Sequence, residues 1–376
     1  MTILGTRPEI IRLSEVIKCC DQYFDQILVH TGQNYDDALN QVFFREMGLR
    51  PPDYCLEAAE ADLGKMLGNI ISGSYALMAR LRPDAVLVLG DTNSALSVIG
   101  AKRLHIPIFH MEAGNRCFDE RLPEEVNRRI ADVTADVNLC YSEHARRNLL
   151  KAGLPEAYTF VVGSPMTEVL RRNFDNIASS DILHRLNLEK GRYIVLSAHR
   201  EENVDDRDVF AGLMDAMNRT AEVYDMPILY SCHPRSRKRL QDYSIVLDPR
   251  IICHGPLGFF DYGNLQMNAF AVVSDSGTLP EEASFYLNAG RPFPAVCIRT
   301  STERPEAMEQ GIFVLAGVTG EQIISAIDAA IKMQQNGHHG SAVLGYMDEN
   351  VSAKVVRLIQ SYTGVINSAV WHKTPR

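Results

Sequence analysis

Two doubly wound α/β domains, each a parallel sheet covered by helices on both faces, are the fold class that this sequence predicts. Three observations carry that expectation. Short apolar runs alternate with helix-length segments from one end of the chain to the other. The runs are continuous rather than alternating, as strands buried on both faces must be. They fall into two series, and at 376 residues the chain exceeds the roughly 250–300 at which a single core stops growing.

The first series reads Thr2–Leu4, Gln26–Thr31, Ala85–Leu89, Pro107–His110, Val137–Tyr141 and Thr159–Val162. The second reads Tyr193–Ala198, Pro227–Ser231, Arg250–His254, Ala269–Ser274, Ala295–Arg299 and Ile312–Leu315. Between them the expected break falls at Gly163-Ser164-Pro165, followed by a polar stretch through Ser179-Ser180-Asp181. The expected domains are therefore residues 1–165 and 166–350. Residues 351–376 are expected to form a last helix that packs back on the first domain, because Val351, Val355, Leu358, Ile359 and Tyr362 recur at helical spacing as one stripe.

Composition narrows the function classes. Hydrophobic residues at 46% and charged residues at 23% describe a soluble globular protein. A net charge of −9 argues against a general binder of nucleic acid or of anionic membranes. No apolar run approaches the ~20 residues of a membrane span. Met1–Leu4 lead straight into a loop motif, leaving no room for a signal peptide. The eight cysteines contain no CxxC pair, and several lie in strand-like runs, the habit of buried free thiols in a reduced cytoplasm.

In open α/β sheets, ligands bind beyond the carboxyl ends of the strands, and the polar residues of this chain concentrate there. Two such sets of strand ends predict an interdomain cleft. After the run ending at Ser274 comes Asp275-Ser276-Gly277-Thr278 and a helix start at Pro280, where unpaired N–H groups favour a phosphate. Glu281 and Glu282 suit a first helical turn, and one of them also suits chelation of a ribose diol. Arg7 stands at a helix start beside Pro8, where the dipole disfavours a cation; a phosphate ligand explains it, and so does plain solvent exposure. Asp91, Glu112 and Glu124 are carboxylates on successive loops. Asp91 also fits a helix cap and Glu124-Glu125 a helix-start pair, but gathered together they suit proton transfer. His199, beside Arg200, suits stabilising a departing diphosphate or moving a proton, and equally a simple salt bridge. Cys232-His233 has no second ligand pair at metal spacing, so no metal is expected. GxGxxG, GxxxxGK[ST] and GxSxG are all absent.

The series GTRPE, HTGQNYD, GDTNS, HMEAGNR, PEEVNRR, SAHREEN, SDSGTLPEE and STERPE runs in that order from residue 5 to residue 306. It resembles the non-hydrolysing UDP-N-acetylhexosamine 2-epimerases over essentially the whole chain. The resemblance implies two Rossmann-like domains in the glycosyltransferase-B arrangement, a homodimer, and a UDP-activated N-acetylamino sugar in the cleft, with no cofactor and no metal. By the same resemblance Arg7, Ser276 and Gly277 hold the diphosphate, Glu282 the ribose, and Tyr262 lies against the uracil. Arg12, His233 and Arg304 complete the substrate-binding set. Asp91, Glu112 and Glu124 are the acid–base carboxylates, and His199 assists UDP departure.

Several departures from the commoner branch look more like the branch that forms UDP-N-acetyl-L-fucosamine from its L-talo epimer for capsule and O-antigen synthesis. They are Arg12, Asn115, Thr278, Pro280, a short loop from Gly114 to Pro123, HPRS at His233–Ser236 and GFFDY at Gly258–Tyr262. Within the same chemistry the alternative is interconversion of UDP-GlcNAc and UDP-ManNAc. Asn34, where the commoner branch often has histidine, speaks against activation by UDP-GlcNAc. Two other classes compete: a glycosyltransferase of the same architecture and a non-catalytic nucleotide-sugar sensor. Three loop carboxylates exceed what simple glycosyl transfer asks for.

Overall fold

Runs such as Val86-Leu87-Val88-Leu89 are apolar on both faces of a pleated strand, so they reach low free energy only inside a covered sheet. The computed structural model, which describes residues 1–33 and 37–373, places every such run in one of two parallel sheets. Asn34 lies outside the described residues. The first sheet contains β1 (Thr2–Leu4), β2 (Leu28–His30), β3 (Tyr54–Cys55), β4 (Val86–Leu89), β5 (Ile108–Met111), β6 (Val137–Cys140) and β7 (Thr159–Val161). The second contains β8 (Ile194–Ser197), β9 (Ile228–Ser231), β10 (Ile251–His254), β11 (Ala271–Ser274), β12 (Ala295–Cys297) and β13 (Val314–Leu315).

The spatial orders are β3-β2-β1-β4-β5-β6-β7 and β10-β9-β8-β11-β12-β13, the doubly wound arrangement. Only β3 lies outside the predicted series. It is two residues long and not buried, so it presents neither the length nor the apolar run of a strand; its pairing with β2 (Val29↔Tyr54) makes it one.

The chain divides into two compact units, Met1–Val169 with Leu344–Arg376, and Leu170–Val343. The first unit thus takes a few residues more at each crossing than the breaks at 165 and 350 assign to it. In that unit the helix Val351–Ala369 packs on the helix Arg7–Tyr23, burying Val351, Val355, Val356 and Ile359. Its first turn is anchored by the carboxylate of Glu168, which accepts from the Ser352 amide at 2.9 Å. Local chemistry sets the helix starts: Asp62 accepts from the Lys65 amide at 2.8 Å and Ser142 from the Ala145 amide at 3.2 Å. No helix among the described residues is long and apolar enough to cross a membrane.

In each sheet the strand order reverses beside the first strand, between β1 and β4 and between β8 and β11. Those are the points where two successive loops diverge and leave a crevice at the strands' carboxyl ends. Gly5–Arg7 and Gly90–Asp91 flank the first; His199–Arg200 and Asp275–Gly277 flank the second.

Candidate active site

In the first unit the chain leaves β1 through a crowded turn. A Cβ on Gly5 would fall 1.9 Å from Thr31 Oγ1 and 2.5 Å from Ser94 Oγ, so only glycine fits. Arg7 and Pro8 then open the helix Arg7–Tyr23. The guanidinium of Arg7 lies over the Phe43 ring, 5.6 Å from its centre. Two residues on, Glu9 is fully buried; its Oε2 accepts from the Gly5 amide at 3.0 Å and from Thr6 Oγ1 at 2.8 Å. Burial pushes its carboxyl up to about 7, against the pull of the Thr6 and Gly5 hydrogen bonds and of Arg12.

Glu112 follows β5 directly and holds a left-handed backbone, φ 63°, which costs a non-glycine residue roughly 1–3 kcal/mol. Its buried carboxylate is ion-paired with Arg12 Nη1, and Asn115 Nδ2 donates to Oε1 at 3.4 Å. A Cβ on Gly90 would lie 3.0 Å from Glu112 Oε2, which places that carboxylate against the turn carrying Asp91. Asp91 pairs with the buried Arg128, whose Nη1 donates to Glu125 Oε2 at 2.7 Å. The Asp91 carbonyl accepts from Asn127 Nδ2 at 3.0 Å.

Glu124, in the first turn of the helix Pro123–Thr134, is half-buried. Among the described residues it has no ion-pair or hydrogen-bond partner. It differs in this from its neighbour Glu125, which is fully buried and accepts from Cys117, Arg128 and Arg129. Glu124 is thus the carboxylate with the most freedom to meet a ligand, and Glu125 the one that builds the site.

In the second unit the organising residue is Asp275. It is fully buried; its Oδ2 accepts from the amides of His199 and Arg200 at 2.8 and 2.9 Å and from Asn203 Nδ2 at 3.1 Å. Oδ1 lies 3.0 Å from His199 Nδ1, an ion-pair contact somewhat off the line of the ring N–H. Burial alone would raise this carboxyl, but the His199 ring and Arg200 outweigh it and hold it well below the usual carboxylate range. With Nδ1 turned to Asp275, the other ring nitrogen of the partly exposed His199 is left to face a ligand.

The turn that follows is a nest of small polar groups. Ser276 Oγ lies 2.9 Å from Thr278 Oγ1, which donates to Glu282 Oε1 at 3.0 Å. Gln266 Nε2 donates to Glu282 Oε2 at 2.6 Å, tying that carboxylate to the helix Phe259–Asn268, on which Tyr262 is half-buried. A Cβ on Gly277 would meet Glu303 Oε1 at 3.0 Å.

Arg304 and His233 lie differently. Arg304 is one of the largest fully buried side chains, 3.5 Å from the buried Glu281, in an internal ion pair. His233 is exposed and caps the helix Pro234–Asp242, its Nδ1 accepting from the Arg235 amide at 3.3 Å. Among the described residues no group of three His, Cys, Asp or Glu side chains is placed to hold a metal.

Sequence reading passed over Asp275, Glu125, Arg128, Glu9 and His110 as individual residues. Asp275 and Glu9 stand inside recognised motifs, but an aspartate before Ser-Gly also reads as a cap and a glutamate after Pro as a first-turn acid. The partners of Asp275 lie more than seventy residues away, and the local partners of Glu9, Gly5 and Thr6, do not by themselves mark it as buried.

Known proteins share this fold. Residues 18–360 match the family model described as UDP-N-acetylglucosamine 2-epimerase. The chain is similar to the UDP-N-acetylglucosamine 2-epimerase structure from Rickettsia bellii, at 44% identity and TM-score 0.91, covering 99% of each chain. It is also similar to the Methanocaldococcus jannaschii UDP-GlcNAc 2-epimerase in complex with UDP-GlcNAc and UDP, at 30% identity and TM-score 0.88, over 96% of this chain and 99% of that one. The UDP-2,3-diacetamido-2,3-dideoxy-D-glucuronate 2-epimerase of Pseudomonas aeruginosa is 32% identical over 87% of this chain and 90% of its own length. With two doubly wound units, an acid-rich strand end in one and a small-residue helix start in the other, the chain belongs to the UDP-N-acetylglucosamine 2-epimerase family of isomerases.

Proposed function

We propose that this protein inverts C2 of a UDP-activated N-acetylamino sugar by eliminating UDP and adding it back across a 2-acetamidoglycal. The hydrogen on C2, the acetamido-bearing carbon, is not acidic in the ground state. When the C1–O bond breaks, UDP leaves with the electron pair and C1 becomes oxocarbenium-like, which acidifies C2–H. A carboxylate takes that proton and the glycal forms; re-addition of UDP at C1, with a proton delivered to the other face of C2, completes the inversion.

Asp91, Glu112 and Glu124 take the acid–base roles in this reading. Arg7, Ser276 and Gly277 hold the diphosphate, Glu282 the ribose, and Tyr262 lies against the uracil. Arg12 acts on the sugar side through Glu112, and His199 stabilises the departing UDP. His233 and Arg304 shape the same region, Arg304 from within, through Glu281. The observation that carries the proposal is Glu112: a buried carboxylate on a strained backbone, steered by Arg12 to the strand end that also bears Asp91. A site that only bound a nucleotide sugar would not need it. The chain forms a homodimer in this reading.

For the sugar, the first reading is formation of UDP-N-acetyl-L-fucosamine from UDP-2-acetamido-2,6-dideoxy-L-talose. It is supported by Asn115 reaching Glu112 and by the short 115–122 loop. The second is UDP-GlcNAc/UDP-ManNAc interconversion, favoured by the ligand of the M. jannaschii relative. Incubation with each UDP-sugar in D2O, followed by NMR, tests both. Deuterium entering C2 with no acceptor present is expected; no exchange with any UDP-sugar refutes the proposal.

A further inference from the structure

We propose that His110 is a positioning residue: its ring joins the turn that carries Asp91 to the turn that carries Glu112 by holding the Gly90 carbonyl on one nitrogen and the Asp132 carboxylate on the other. The identity of the groups it positions rests on the epimerase reading; its ionic state and its clamping of two turns do not.

His110 is fully buried on β5, beside Val88 of β4. Nε2 lies 2.8 Å from the Gly90 carbonyl, the residue before Asp91. Nδ1 lies 3.0 Å from Asp132 Oδ1, an ion-pair contact somewhat off the line of the ring N–H, and the Asp132 oxygens accept from the Gly114 amide at 3.2 and 3.3 Å, two residues after Glu112. Arg116 Nη1 closes the chain 2.6 Å from Asp132 Oδ2. The carbonyl and the carboxylate are both acceptors without a hydrogen to give. A neutral imidazole has one N–H and would turn a lone pair on one of them, whereas the imidazolium offers an N–H to each. Burial disfavours that cation, but Asp132, the Gly90 carbonyl and the nearby Glu112 outweigh it and raise the histidine above its ordinary value.

The turns so joined need an external hold. Gly90, Glu112 and Gly114 all have positive φ, at 70°, 63° and 84°. Glu112 pays no such cost unless its surroundings over-determine the turn. A buried ring bonded to one turn directly and to the other through Asp132 supplies that constraint. The charged groups around it are Asp132 from the helix Pro123–Thr134, Glu112 at the end of its own strand, Arg116 beyond Asp132 and Arg12 beyond Glu112.

The test uses the full chain labelled with 15N-histidine. Long-range 1H–15N spectra at pH 7.5 are expected to show both His110 nitrogens protonated, with the assignment made from the signal missing in H110Q; a neutral ring at that pH overturns the proposal. In H110Q and D132N, hydrogen exchange is expected to rise over residues 90–92 and 112–116 and not over 271–297. The rate of C2–H exchange with saturating UDP-sugar should fall about 100-fold with KM within threefold, the cost of misplacing reacting groups by about an ångström. Unchanged protection in those two segments, or an unchanged kcat in a folded H110Q, refutes the role. If H110Q does not fold, D132N is read by the same measures and the wild-type His110 signal is assigned by its contacts to Asp132 and Gly90. If no UDP-sugar exchanges at all, the epimerase reading fails, while the spectra and the protection data still decide the clamp.

Discussion

Asp275→Asn isolates the part played by an orienting carboxylate in the second unit. The substitution keeps shape and one acceptor oxygen, so the amides of His199 and Arg200 and the Asn203 side chain can still be satisfied. What changes is the face toward His199 Nδ1, now 3.0 Å from a carboxylate oxygen. An amide NH2 there offers a donor where the carboxylate offered an acceptor, so it no longer holds the ring by charge. If His199 steadies a departing diphosphate, it then does so without the carboxylate that orients its ring. A hydrogen bond to a charged group contributes about 1.5–3 kcal/mol, which predicts a rate lower by about 10- to 150-fold. The assay is C2 deuterium exchange with saturating UDP-sugar, run on D275N, H199N and the double variant. Because Asp275 is expected to act through His199, the double variant should be no slower than H199N alone. A D275N enzyme at full rate, or losses that multiply in the double variant, would refute the dyad.

Three further outcomes are expected. Glu112→Gln should abolish C2 exchange by at least about 100-fold while UDP still binds in calorimetry; this is the order of loss for one removed proton-transfer group. Glu9→Gln should show a pH-dependent gain. A carboxyl raised from 4.5 to about 7 in the folded chain makes wild-type stability fall as pH climbs through that window, by up to about 3 kcal/mol. The glutamine variant lacks that fall, so its urea midpoint relative to wild type should rise between pH 5 and pH 8, and a constant difference would sink the account. Trp371, the sole tryptophan, stacks on His105 in the first unit and reports this unfolding by fluorescence. Gly5→Ala should destabilise the same unit by about 3 kcal/mol or more, since its Cβ has no room beside Thr31 and Ser94, and the same fluorescence titration measures it.

The fold was legible because both of its determinants are local. A strand buried on two faces is apolar nearly throughout, and a crossover helix must separate it from its parallel neighbour; most of the twelve runs approach the first condition, the partly buried β7, β10 and β13 least, and the segments between them leave room for the second. β3 escaped because its stability comes from β2 and not from its own residues. The placement of loop residues was legible for the same reason, since chain direction in a parallel sheet decides which end a residue caps. Asp91, Glu112 and His199 had to stand at carboxyl ends once β4, β5 and β8 were recognised.

Pairing is the level at which sequence stops being informative. Arg12 meets Glu112 across a hundred residues, and Asp275 meets His199 across seventy-six. No spacing rule of helix or strand reaches so far, so the role of each acid in a motif depends on a partner that only the folded sheet supplies. Glu124 and Glu125 make the point sharply. They are adjacent, chemically alike, and both suited to a first helical turn. One turns inward to Arg128 and Arg129 and becomes part of the frame; the other has no partner among the described residues. Helical geometry separates neighbours by about 100°, so two carboxylates in sequence cannot both face a ligand. Which of them does is set by where Arg128 must reach to meet Asp91, and therefore by the junction of β4 with the helix rather than by either glutamate.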